Sequence, residues 1–192
     1  VAAGDRIIFG TNGGRLVALD ARTGERVWEN RDPGYTIERR PFVRHNHVYA
    51  GSWDGYLYAV RLSDGRTAWK TQGIGSKASA PGVARYYAPA DAPPVVAGGN
   101  VWIADRMYRL GILDAAYGRV LMEMKDTASV APSEDGKSLY LRGTDGLLRK
   151  VGLDGREVWK APARTGFLPS SAAEAGGVVY SNSATGRLVA LD

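Results

Sequence analysis

The 192-residue sequence is 44% hydrophobic and 23% charged, with 25 glycines and nine prolines spread along its length; this excludes a disordered chain and fits many tight turns between short strands. Its formal net charge of +5 comes from 25 basic and 20 acidic residues that are dispersed, unlike the one-faced concentration of a nucleic-acid binder. The absence of cysteine excludes disulfides, thiolate chemistry and Cys-ligated metal centres, and no apolar run reaches the roughly 20 residues that span a bilayer.

Taken in chain order, the predicted elements repeat. Val1 already lies inside the pattern, so the chain is expected to be a mature product or a piece of a longer one. Unit one carries Gly14-Arg15-Leu16-Val17-Ala18-Leu19-Asp20, then Gly24 and Trp28. Unit two is the clearest. A first strand is expected at Pro41–Val43, a turn at Asn46 and His47, and a second strand over His47–Ser52. A hairpin follows at Trp53-Asp54-Gly55, then strands over Tyr56–Val60 and Arg66–Lys70, the last containing Trp69. Unit three is degenerate: Tyr108–Asp114 replaces the Gly-led run, Met122 stands where the Trp belongs, and an insertion is expected around Arg85–Pro94. Unit four runs from Gly146 to Gly152, with Gly155 and Trp159. Unit five, Gly186–Asp192, repeats the first run and ends before its Trp strand.

The markers Gly14, Gly55, Tyr108, Gly146 and Gly186 recur at steps of 41, 53, 38 and 40 residues, the long one reflecting the insertion; a repeat of about 40 residues is the size of a propeller blade of four short strands. Leu16-Val17-Ala18-Leu19 is apolar at consecutive positions, so both faces of that strand need burial; a sheet packed between two others supplies it. A solenoid fits less well, because its repeats carry one strand with a helix or turn. The expected fold is therefore all-β, a β-propeller of four-stranded antiparallel blades forming one domain over 1–192. It would have a partial first unit, three full units and a fifth lacking its last strand, about eighteen strands in all, either as a five-bladed ring or as part of a larger one.

The repeats Gly14-Arg-Leu-Val-Ala-Leu-Asp-Ala-Arg-Thr-Gly-Glu-Arg-Val-Trp28 and Gly55-Tyr-Leu-Tyr-Ala-Val-Arg-Leu-Ser-Asp-Gly-Arg-Thr-Ala-Trp69 resemble the PQQ-like, or quinoprotein-like, propeller repeat. The resemblance covers nearly the whole chain and is specific for architecture; its members differ in function. They include PQQ-dependent alcohol dehydrogenases, cofactor-free propellers such as the lipoprotein scaffold of the bacterial outer-membrane β-barrel assembly machine, and propellers fused to hydrolases. The dehydrogenase likeness implies a central quinone with calcium, a catalytic Asp and a vicinal disulfide. The disulfide cannot exist here, and no residue matches the calcium or catalytic positions.

The chemistry-bearing residues are weighed individually. His45 and His47 could share a strand face and a metal, but the Asn46 between them reads as a hairpin turn. Asp54, Asp145 and Asp154 precede Gly and read as turn formers; Asp105 and Arg106 read as a structural ion pair. Gly73-Ile74-Gly75-Ser76-Lys77 looks superficially like a phosphate loop but lies between units. Arg39, Arg40, Trp53 and Arg106 are the candidate partner-binding residues, since Trp and Arg near strand ends are common interface anchors.

The expected function is a non-catalytic scaffold binding protein or peptide through loops and blade edges, with no cofactor, no metal and no nucleic-acid partner. Pairing with another propeller portion is a further expectation. The alternatives are an accessory part of a PQQ-dependent dehydrogenase-like or hydrolase protein with catalytic residues outside this chain, and, behind it, a small-ligand or sugar sensor. An extracytoplasmic setting follows from the resemblance alone.

Overall fold

A computed structural model describes residues 1–78, 89–167, 170–183 and 185–192. Nineteen strands among these form five antiparallel sheets, each built from strands consecutive in sequence. The first contains β1 (Ala2–Ala3), β2 (Arg6–Gly10), β3 (Leu16–Asp20) and β4 (Arg26–Asn30). The second contains β5 (Phe42–Arg44), β6 (His47–Gly51), β7 (Tyr56–Arg61) and β8 (Thr67–Gln72). The third contains β9 (Val95–Ala97), β10 (Asn100–Ala104), β11 (Leu110–Asp114) and β12 (Val120–Met124). The fourth contains β13 (Thr127–Pro132), β14 (Ser138–Gly143), β15 (Leu147–Gly152) and β16 (Glu157–Pro162); the fifth has β17 (Ala173–Ala175), β18 (Val178–Asn182) and β19 (Leu188–Leu191).

These are propeller blades, as the repeat implied. One count changes: the first unit is a full four-stranded sheet whose innermost strand has shrunk to two residues. The unit-two strands fall within two residues of expectation. Its turn is made by His45 and Asn46, both left-handed at φ 47° and 61°, the geometry of a tight primed hairpin. His47 Nδ1 lies 3.1 Å from the carbonyl of His45, so that pair serves the turn. Of the insertion expected around Arg85–Pro94, residues 85–88 lie outside the described residues.

Alternation along each strand builds the interior. In β6, Val48 and Ala50 pack toward the first sheet with Ile8, Leu16, Ala18 and Tyr58, while Tyr49 packs toward the third with Val101, Ile103 and Leu113. The third and fourth sheets meet around Trp102, which is fully buried with Leu110, Leu139 and Leu141. Between the fourth and fifth, buried Arg142 donates to the carbonyl and hydroxyl of Ser170 and to the carbonyl of Asn182 at 2.7 Å. Each sheet therefore has two buried faces, except at the ends of the row. There Ile7 and Phe9 on the first sheet, and Tyr180 and Leu188 on the fifth, stay exposed.

A second device recurs at each outer strand. The pairing of the third and fourth strands slips by one residue at Ala18/Leu19, Ala59/Val60, Ile112/Leu113 and Lys150/Val151. Such a bulge adds twist and re-aims the side chain beside it. In the first two sheets that side chain is Trp, facing Ala18 or Ala59 and reaching the next sheet. Trp28 Nε1 donates to the carbonyl of Leu62 at 2.8 Å, and Trp69 Nε1 to that of Ala115 at 3.0 Å. Each indole lies where a Cβ on Gly65 or Gly118 would stand, 2.6 and 2.4 Å from the nearest ring atom. Those glycines are left-handed, φ 73° and 70°, so both backbone and space require Gly.

Candidate functional site

The hairpins joining second and third strands share one end of the molecule with the connectors between sheets. The connector from β4 to β5 crosses over the first hairpin and fastens to the second. Ile37 N donates to Thr11 O at 3.1 Å and Trp53 N to Thr36 O at 2.9 Å; Thr36 Oγ1 donates to Asn12 O and Ser52 Oγ to Tyr35 O, both at 2.9 Å. A Cβ on Gly14 would stand 2.6 Å from the carbonyl of Pro33, which is why this crossing needs glycine. Asp54 is the hub of the second hairpin: its carboxylate accepts Gly34 N at 2.7 Å, Tyr56 N at 3.0 Å and Tyr58 OH at 2.7 Å. Burial, then the Asp54 carboxylate, push the Tyr58 phenol well above its ordinary value. Asp54 is therefore a turn former, as its position before Gly implied; Asp145 and Asp154 likewise accept the backbone N–H two residues on.

On this rigid base the structure brings three of the four candidate residues together. Trp53 Nε1 donates to Glu38 Oε2 at 3.0 Å, and Glu38 Oε1 lies 3.6 Å from Arg39. The Arg106 guanidinium sits over the Trp53 ring, 5.2 Å from its centroid, and its Nε donates to Asp91 Oδ1 at 2.8 Å. The Asp91 side chain is 2% exposed while Arg106 is 51% exposed. Asp91 Oδ2 is buried without a hydrogen-bond partner among the described residues. Desolvation pushes this carboxyl up, Glu38 adds to the shift, and Arg106 and Arg39 oppose it. The result is a stacked Trp–Arg pair, anchored from below by a buried acid and flanked by an exposed guanidinium.

The expected Asp105–Arg106 ion pair does not form. Asp105 instead accepts Gly75 N at 2.6 Å and Met107 N at 2.9 Å; burial pushes its carboxyl up, opposed by these backbone N–H groups. The phosphate-loop look of Gly73–Lys77 has the same explanation, since the Gly75 N–H is taken by the chain's own carboxylate. Glu38 and Asp91 were missed as site residues. The available signal for Asp91 was a lone acid within Ala90-Asp91-Ala92-Pro93-Pro94, an apolar stretch in which an acid needs a partner.

Arg40 lies apart from this cluster. It lines an axial cavity of about 390 Å³, shared by the inner ends of the sheets, with Phe42, Pro94, Val95, Val130 and Ala172 among its walls. Among the described residues the walls carry no carboxylate and no amide side chain, whereas calcium demands six to eight oxygen ligands. These residues do not fit a quinone–calcium pair.

The fold and the repeat define the class: the chain is a run of PQQ-like, quinoprotein-like β-propeller repeats. A family model described as outer membrane protein assembly factor BamB matches residues 1–88. The chain is similar to the outer membrane protein assembly factor BamB of Alkalilimnicola ehrlichii, with 27% identity covering all of this chain and 50% of the relative. It is also similar to the quinohemoprotein alcohol dehydrogenase ADH IIB of Pseudomonas putida, with 30% identity over 56% of this chain and 16% of that enzyme. The crystal structure of BamB from Moraxella catarrhalis superposes with a TM-score of 0.72 at 20% identity, covering 97% of this chain and 57% of that one. The chain spans about half the length of the assembly-factor relatives it matches.

Proposed function

We propose that this chain is a non-catalytic propeller scaffold that binds a protein partner through the connector-and-hairpin end, in the service of outer-membrane protein assembly on the extracytoplasmic side. The observation that carries the reading is the Trp53–Arg106 stack. A rigid aromatic ring and a half-exposed guanidinium, held by Glu38 and Asp91, form the kind of anchor that dominates protein interfaces. Arg39 adds a second cation at the rim, and Arg40 a third at the axial mouth. Similarity to assembly factors over the whole chain supports the partner class. The dehydrogenase likeness offers a second reading, but the axial cavity's donor set disfavours a quinone–calcium site. No helix among the described residues is long and apolar enough to cross a membrane. Residues 1–192 act in this reading as one propeller unit.

The test is a double substitution, Trp53→Ala with Arg106→Ala, in the full-length gene of the native host. The reading predicts lower levels of assembled outer-membrane β-barrels with the scaffold itself still abundant. Unchanged β-barrel levels with both anchors gone would overturn it.

A further inference from the structure

The axial cavity has a chemistry of its own, separate from the Trp53 anchor. Its volume of about 390 Å³ lies in the range of small-ligand sites. At roughly 30 Å³ per water-sized atom, that space holds about a dozen non-hydrogen atoms. The wall is apolar, with Phe42, Val43, Val95, Val130 and Ala172 contributed by the second to the fifth units. It is also rigid: Pro41, Pro93, Pro94 and Pro132 fix their backbone and offer a ligand no N–H. The hydroxyl on the wall, that of Ser171, donates to the carbonyl of Val130 at 3.3 Å.

Arg40 is the one charged side chain on this wall among the described residues. It is exposed and forms no ion pair among the described residues. Residues 79–88, 168, 169 and 184 include no Asp or Glu that could supply one. The acids at this end of the molecule are engaged elsewhere. Glu38 faces Arg39 and Asp91 faces Arg106. Asp32, Asp54 and Asp105 accept the chain's own hydroxyl and N–H groups, and Asp126 lies in the field of Arg149. The Val1 amino group, also on the wall, donates to the carbonyl of Ile8 at 2.5 Å. The cavity therefore presents one unmatched guanidinium beside an apolar interior.

We propose that the axial cavity binds a small apolar carboxylate of about a dozen non-hydrogen atoms. Its hydrocarbon body lies against Phe42, Val95, Val130 and Ala172, and its carboxylate meets the Arg40 guanidinium in a charge-assisted pair. A quinone–calcium pair needs metal ligands that this wall lacks among the described residues; a single guanidinium and an apolar wall suit one carboxylate. The proposal goes beyond the scaffold reading and uses none of Trp53, Arg106, Glu38 and Asp91, so the two fail separately.

The probe is 4-phenylbutyrate, which has that size, titrated into the full chain while the methyl signals of Val43, Val95 and Val130 are followed by NMR. These signals are expected to shift saturably, with a Kd in the low millimolar range or tighter. The neutral 4-phenylbutanol and the cationic 4-phenylbutylamine are expected to bind at least tenfold more weakly. Arg40→Gln is expected to weaken 4-phenylbutyrate binding about tenfold or more with Tm unchanged, and Arg40→Lys to fall between the two. Arg39→Gln, and Trp53→Ala with Arg106→Ala, are expected to leave binding unchanged. The proposal is overturned if the three valines do not respond saturably up to about 10 mM, or if the alcohol or the amine binds as tightly. It is equally overturned if Arg40→Gln binds as well as the parent, or if Arg39→Gln weakens binding as much. PQQ with calcium binding more tightly than 4-phenylbutyrate would return the cavity to the quinone reading and overturn it too.

Discussion

Asp91 and Asp105 are both buried carboxylates, and they are satisfied differently. Asp105 receives backbone N–H groups on both oxygens, whereas Asp91 has Arg106 on one oxygen and, among the described residues, no partner on the other. Desolvation raises the Asp91 pKa, so the folded state holds that proton more tightly than the unfolded chain does. Its contribution to stability is complete below the ordinary carboxylate range and is lost as pH rises through the folded-state titration. Asp91→Asn keeps an acceptor for Arg106 and removes that titration. The difference in Tm between variant and parent should therefore shift in the variant's favour from about pH 3.5 to about pH 7. A difference that stays flat, or moves the other way, in thermal melts across this range contradicts the assignment. At this scale the sequence was partly legible. The turn roles of Asp54, Asp145 and Asp154 follow from the Gly after each. The Asp91–Arg106 link joins residues from an inter-sheet connector and a hairpin, and no local pattern encodes it.

At the scale of the element, the seam between neighbouring sheets is set by what the outer strand presents. Trp28 and Trp69 each cover a left-handed glycine and reach a carbonyl three residues before it. Trp69→Ala removes a ring and one hydrogen bond and is expected to cost about 3–5 kcal/mol, read as a lower midpoint in urea. The third sheet departs from this device. Met122 faces Gly155, where a built Cβ would meet only its sulfur at 3.6 Å, and the fourth-sheet turn is one residue tighter, with Gly155 N bonded to Gly152 O rather than four residues back. Trp102 fills that seam from the inside instead. Met122→Trp should therefore stabilise by only about 1 kcal/mol, the value of the added apolar contact. A gain as large as the Trp69 loss would show that the seam had lacked only the ring. The Gly–Trp spacing predicted these contacts; the bulge that aims the Trp did not show, because a bulge adds a residue without changing residue type.

Across the whole molecule, five sheets in a row leave two faces uncovered. Phe9 and Ile7 are exposed on the first sheet, and Leu188 is 74% exposed on the fifth. Exposed apolar faces of this kind drive association. The 192-residue chain is expected to self-associate with rising concentration in sedimentation runs, and Phe9→Glu with Leu188→Glu to return it to a monomer. A monomeric parent at every concentration would count against those faces being sticky. The propeller could be read from the sequence because its repeat is short, regular and carried by turn glycines. The connector-and-hairpin end could be read only as loops, since its residues converge from separate units.

The central claim is that partner binding occurs at the connector-and-hairpin end, and photo-crosslinking from both ends tests it most directly. A photoreactive phenylalanine replaces Trp53 at one end, and in separate chains replaces Arg22 or Ser63 in turns at the opposite end, with each full-length protein expressed in its native host. The account predicts a discrete adduct with an outer-membrane assembly protein from position 53, weakened by Arg39→Glu, and none from positions 22 and 63. Adducts of equal yield from the opposite end, or none from position 53, would contradict it.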